Sequence, residues 1–189
     1  VKWSEIIRSE RIVIGGVEYD LRHLHDAVYD ITIPGSGNHQ DIKTKLFVRY
    51  SSHCISVGPE DDVPIDFDIV GIEKRILDHR LVPRAFSEER YELSKMLPGI
   101  FSKIVDRKCF YSSDRNFFII EFIDKEGGKA SYCVYFNVKK EVEGLDVYVE
   151  SAYVPRVIVR PNDGSRSIQA RVILAKRFRG EQIKRIPLR

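Results

Sequence analysis

The sequence predicts an α+β fold: a twisted antiparallel β-sheet, made of a C-terminal three-strand meander and an N-terminal hairpin, packed against helices on one face. Three observations predict it. The strand-like runs "NFFIIEFID", "SYCVYFNVK" and "LDVYVESAYV" follow one another across the short turns "KEGGKA" and "KEVEGL", and connections that short join antiparallel neighbours. Two earlier runs, "VYDITIP" and "IKTKLFVRYSSHCISV", flank the Gly/Asn-rich turn "GSGNHQD" as a hairpin. Between these sets, "SEERYELSKMLPGIFSKIVDR" repeats its apolar residues at helical spacing.

Taken in order, residues 3–14 read as a short helix running into a strand, "RIVIGG", and the hairpin follows. Residues 58–70, "GPEDDVPIDFDIV", form an acidic loop broken by proline. In the helical stretch Ser87 is placed to cap the first turn, and Glu88 and Glu89 favour the helix dipole there. Leu93, Met96, Leu97, Ile100, Phe101 and Ile104 make its apolar stripe, and Pro98 kinks the helix or opens a second one. Alternation puts Phe118, Ile120 and Phe122 on one face of the first meander strand. It groups Tyr132, Val134, Phe136 and Val138 on the second, and Leu145, Val147 and Val149 on the third. The apolar face so formed needs a cover, and the helix over 87–105 is the nearest one.

A chain of 189 residues, 43% hydrophobic and 31% charged, fits one globular domain over 1–155 with a basic extension over 156–189. The net charge of +3 hides a split: the extension holds ten Lys/Arg against two Asp/Glu, and the remainder carries −5. Such an arm suits an anionic partner, nucleic acid above all; the alternatives are a solvated tail or a final strand through "ARVIL". No apolar run approaches bilayer length and "VKWSEIIRSERIVI" has no signal-peptide core, so a cytoplasmic protein with no membrane partner is expected. Three scattered cysteines, Cys54, Cys109 and Cys133, fit a reducing compartment. No zinc spacing, calcium loop or phosphate loop is present, so neither metal nor cofactor is expected. "HLH" at 23–25 and the carboxylates of "EDDVPIDFD" are weak metal candidates beside their ordinary roles as polar surface.

The stretch "FVRYSSHCISV" holds the main candidate site. Read as a continuous strand, it puts Arg49, Ser51 and His53 on one face. Val48, Tyr50, Ser52 and Cys54 share the core face with Leu46. A cation, a hydroxyl and an imidazole then stand side by side on a rigid support; the alternative is a half-buried histidine bonded to a loop. Ser151 and Tyr153 continue the parity of Leu145, Val147 and Val149, so the apolar face turns polar at its end.

Four segments, "YDLRHLHDAVYDITIP", "VRYSSHC", "ERYELSKMLPGI" and "YVESAYV", together resemble a family of small bacterial proteins, often carried on mobile elements, some of them labelled stationary-phase growth adaptation proteins. The resemblance spans roughly 18–154. A looser, fold-level likeness is to metal-independent RNase toxins of the barnase and colicin type, in which helices precede a curved sheet bearing His, Arg and hydroxyl groups. That likeness implies an RNase-type toxin or growth modulator acting on RNA. His53 would be its acid or base, Arg49 or Arg90 would hold the phosphate, and Ser151 and Tyr153 would assist. Arg171, Lys176, Arg177, Arg179, Lys184 and Arg185 of the basic arm would grip the RNA backbone, RNA being favoured over DNA, and a cognate protein inhibitor would accompany it. The rival readings are a non-enzymatic nucleic-acid or protein binding module, with Tyr132, Tyr148, Tyr153, Phe110 and Tyr111 as stacking groups, and a small-molecule sensor with a pocket between helix and sheet.

Overall fold

The computed structural model describes residues 1–60, 63–112, 116–125, 128–156 and 167–183. The helix α1 (Trp3–Ser9) ends at Glu10, which takes a left-handed φ of 60°, and the chain turns into the hairpin β1 (Arg11–Ile14) and β2 (Val17–Asp20). A second hairpin follows, β3 (Ala27–Ile33) and β4 (Ile42–Tyr50), at the place and with the orientation its turn residues predict. Its turn requires glycine, because a Cβ on Gly35 would stand 2.1 Å from the His39 carbonyl oxygen. A small sheet, ordered β5 (Ser56–Val57), β7 (Pro83–Phe86), β6 (Arg75–Leu77), adjoins it, and the short α2 (Phe67–Val70) sits in the acidic segment, capped by Asp66.

The helical stretch divides where Pro98 implies it would. In α3 (Glu88–Ser94) the Ser87 side chain accepts the Arg90 N–H, and α4 (Leu97–Ser102) opens with the proline in its first turn. Then come β8 (Lys108–Tyr111) and the meander of β9 (Asn116–Lys125), β10 (Gly128–Glu141) and β11 (Gly144–Tyr153). The described chain closes with β12 (Ile168–Gln169) and α5 (Ala170–Phe178).

Meander and hairpin belong to one seven-stranded sheet, ordered β12-β8-β9-β10-β11-β4-β3. Every pairing is antiparallel except that of β11 with β4, which runs parallel from Gly144 opposite Lys45 to Val149 opposite Tyr50. The core lies on one face. Leu46, Val48, Val134, Phe136, Leu145, Val147 and Val149 are buried there against Leu97, Ile100 and Phe101 of α4 and Ala170, Ile173 and Leu174 of α5. Phe101 meets both Phe136 and Tyr50 edge-on.

Two expectations are corrected. On β9 the buried residues are Phe117 and Ile119, opposite Phe136 and Val134, whereas Phe118 and Ile120 turn to the other face. The run is apolar on both faces, so alternation alone has no preferred phase. Within the expected basic extension, residues 170–178 form a helix rather than the alternative strand through "ARVIL", and its apolar side completes the core; among the extension's described residues only Ile168 and Gln169 pair as strand, with β8. Among the described residues no helix is long and apolar enough to cross a membrane.

Candidate functional site

The strand carrying the site stops at Tyr50, three residues short of His53, the last residue that alternation would place on its face. After Tyr50 the backbone leaves the sheet, and residues 52–54 form a 3₁₀ turn whose start is fixed by Ser51: its Oγ accepts the His53 N–H at 3.1 Å and donates to the Glu150 carbonyl. Arg49, Ser51 and His53 therefore do not share a face. Arg49 remains on the strand and is forked onto Asp146 at 3.0 and 2.8 Å. Ser51 is buried as a cap, and His53 projects from the turn with 29% of its side chain exposed.

His53 has a partner the sequence does not announce. Its Nε2 lies 3.2 Å from Oδ2 of Asp78, a carboxylate only 4% exposed at the side chain. Asp78 follows β6, and its Oδ1 accepts the N–H groups of Arg80 (2.8 Å) and Val82 (3.0 Å), closing a tight turn in which Leu81 adopts a φ of 63°. Burial raises the Asp78 carboxyl pKa, but the Val82 N–H, His53 and the Arg80 N–H outweigh it and hold the carboxyl below its ordinary value. An ionised carboxylate only accepts, so Nε2 carries the hydrogen and Nδ1 keeps the lone pair. Burial and then the charge of Arg84 push the His53 pKa down against the pull of Asp78, so the neutral ring is favoured.

The pair opens on a cleft of about 450 Å³. One wall is the turn, with Ser51, His53, Asp78, His79 and Arg80; the other is the sheet, with Asn116, Tyr148, Glu150 and Ser151. Glu150 is fixed by two amides, Asn116 Nδ2 and Asn137 Nδ2, each donating to a different carboxylate oxygen at 2.9 Å. It stands at a β-bulge: Phe136 pairs with Val149 and Tyr135 with Ser151, leaving Glu150 as the extra residue. The bulge reverses the parity that links Ser151 and Tyr153 to the buried Leu145, Val147 and Val149, and Ala152 is the buried residue instead.

The remaining predicted residues are dispersed. Ser151 reaches the cleft with His53, but Tyr153 stacks on Tyr135 at 5.6 Å between centroids and lies under the Arg90 guanidinium. Arg90 is turned inward, with Nη1 donating to the carbonyls of His53 (3.1 Å) and Ser56 (2.7 Å). Arg49 and Asp146 line a neighbouring groove of about 620 Å³ that shares His79 and Tyr148 with the cleft. Arg171, Lys176 and Arg179 line a third hollow of about 490 Å³ with His39, while Arg177 is partly buried, its Nε without a hydrogen-bond partner among the described residues. Lys184 and Arg185 lie outside the described residues.

Of the expected stacking groups, Tyr132 and Phe110 are buried. His23 bonds Ser94 Oγ at 2.7 Å and His25 bonds the Ile7 carbonyl at 2.9 Å, so the "HLH" rings serve separate bonds. Among the described residues no group of three or more His, Cys, Asp or Glu side chains is placed to hold a metal ion. Sequence reading missed Asp78, His79, Arg80 and Glu150. The polar text "DHR" before "LVPR" is the only local signal for the first three, and nothing local marks the bulge.

Comparison with known proteins matches residues 11–178 to a model of the YjaZ family, and the chain belongs to that family. No curated protein and no solved structure matches it.

Proposed function

For this member of the YjaZ family we propose a metal-independent endoribonuclease activity, used as a toxin or growth modulator in the bacterial cytoplasm. One observation carries the reading: His53 is pinned through Nε2 to the buried Asp78 while its Nδ1 keeps a lone pair, beside a cleft that also holds His79, Arg80 and Glu150. RNA cleavage of this kind needs a base for the 2′-hydroxyl, an acid for the leaving 5′-oxygen, and a cation for the charge that builds on phosphorus. His53, kept neutral by its surroundings, is the base, and Asp78 steadies the imidazolium that forms. His79 on the same wall is the acid. Arg80, which has no ion-pair partner among the described residues, takes the phosphate role expected of Arg49 or Arg90. Ser151 borders the cleft as a hydrogen-bonding group, and the hollow of Arg171, Lys176 and Arg179 holds the RNA backbone away from the cleavage point.

The test is an end-labelled single-stranded RNA incubated with the full chain in excess chelator. Cleavage to products ending in a 2′,3′-cyclic phosphate, lost in His53→Ala, is the expected result. Retarded but uncut RNA, with an affinity that falls steeply with salt, would move the protein to the second reading, a non-enzymatic nucleic-acid binding module; the basic hollow beside α5 is the observation that favours it. A cognate inhibitor, on the toxin reading, covers the cleft and protects the labelled RNA.

A further inference from the structure

Two guanidiniums stand just outside the cleft, and in the acid–base scheme neither transfers a proton nor holds the scissile phosphate. Arg84 comes from β7: its Nε donates to Ser56 Oγ at 2.9 Å and its Nη2 to the Ser56 carbonyl at 3.2 Å. Arg90 comes from α3, and its Nη1 donates to that same carbonyl at 2.7 Å. Two cations thus converge on one oxygen. Both are partly buried, and neither has a carboxylate in ion-pair range among the described residues. Buried charge is ordinarily paired, because desolvation is otherwise uncompensated. Burial and then the charge of Arg90 depress the Arg84 pKa to about 10 against the pull of Asp78, and burial lowers that of Arg90 against the pull of Tyr153, Cys54 and Glu89.

The site is also shaped. Among the described residues, Arg84 Nη1 and the Nε and Nη2 of Arg90 make no hydrogen bond, and none of them belongs to the fully buried unpaired atoms. A Cβ at position 58 would stand 2.5 Å from Arg84 Nη1, so glycine at that position is what leaves room for this arm of the fork. The Tyr153 ring, 4.8 Å from Arg90 Cζ, closes one face of the second fork. Two planar forks offering three donors fit the oxygens of a tetrahedral oxyanion better than the two oxygens of a carboxylate.

We propose that Arg84 and Arg90 together form a binding site for a phosphate group, separate from the His53 cleft and independent of whether that cleft cleaves RNA. The phosphate comes from a nucleic-acid backbone or from a free phosphate or monoester. Both sources present the same oxygens, and the experiment separates them.

The full chain is titrated with inorganic phosphate at constant ionic strength against chloride, following thermal stability and binding heat. A saturable stabilisation is expected, as a ligand that binds only the folded chain must give. Arg84→Met should weaken binding at least ten-fold, and Arg84→Lys, which keeps the charge without the fork, should weaken it in part. Arg11→Ala, an exposed arginine on β1 paired with Glu18, should leave it unchanged. Competition by a short RNA lacking terminal phosphates assigns the site to the backbone; competition by a 5′-mononucleotide alone assigns it to monoesters. The proposal is overturned by a linear, unsaturable response in the wild type, by acetate binding as well as phosphate, or by full retention of binding in Arg84→Met. The wild-type arms need no variant to fold. RNA cleavage plays no part in the readout, so failure here leaves the ribonuclease reading standing, and the reverse holds too.

Discussion

The two halves of β11 place similar groups on the sheet face opposite the core and treat them differently. Along Gly144–Val149 the strand pairs in regular parallel register with β4, and Arg49 closes onto Asp146 with both oxygens engaged. Past the bulge at Glu150, β4 has already ended and the turn around His53 stands where its next residues would pair. There the carboxylate Asp78 comes from a different element and engages only one ring nitrogen. Regular pairing makes a self-neutralising pair, and its interruption leaves room for a cleft and an uncommitted lone pair. On this comparison the first half supports the fold, and the second half holds the groups on which the proposed chemistry rests.

The largest expected effect is on activity in the second half. His53→Ala should lower RNA cleavage by about 100-fold or more, the scale of a lost general base. It should cost only about 1 kcal/mol of stability, because Asp78 keeps two backbone donors. Turnover and urea denaturation measured on one preparation separate the two axes, and unchanged turnover would remove His53 from the mechanism.

Asp78→Asn should move both axes. An amide cannot accept from three donors as the carboxylate does, so stability should drop by about 1–3 kcal/mol. Cleavage should fall less than in His53→Ala, with an altered pH profile, since Asp78 acts through the ring. A shift in stability alone would reduce the pair to a turn-forming contact.

Asp146→Asn probes the first half. It should reduce stability by about 1 kcal/mol or less, because Arg49 is 53% exposed and solvent screens the pair. Cleavage should be unchanged. A ten-fold loss of activity would mean that the groove before the bulge belongs to the site, and the comparison would break.

The smallest effect is on pH dependence. Burial, as the main cause, holds the pKa values of both His53 and His23 below the ordinary 6.5 in the folded chain. Between the folded values and 6.5 the unfolded chain binds more protons, so stability falls as pH drops through that window and is level above it. His53→Gln should flatten the slope in part, His23 supplying the remainder. A slope identical to wild type would show that the His53 ring is not held neutral by the fold.

Local text determined the hairpin at its Gly/Asn turn, the order of the meander, the Ser87 cap and the break at Pro98, and with them the α+β class. Each depends on residues within a few positions of one another, where periodicity and turn chemistry act directly. The same text misled where two phases were equally apolar, as on β9. It also misled where cations masked an apolar stripe, as in α5, whose Ile173 and Leu174 stand among Arg171, Lys176 and Arg177. Tertiary structure alone decided that β4 stops at Tyr50, that Glu150 bulges, and that Asp78 meets His53 across 25 positions of sequence. It also decided that Arg84 and Arg90 face the same carbonyl. Those outcomes depend on how the sheet edge, the small sheet and the helix α3 fit together. A residue's neighbours through space are set by that packing, and spacing along the chain carries no record of it.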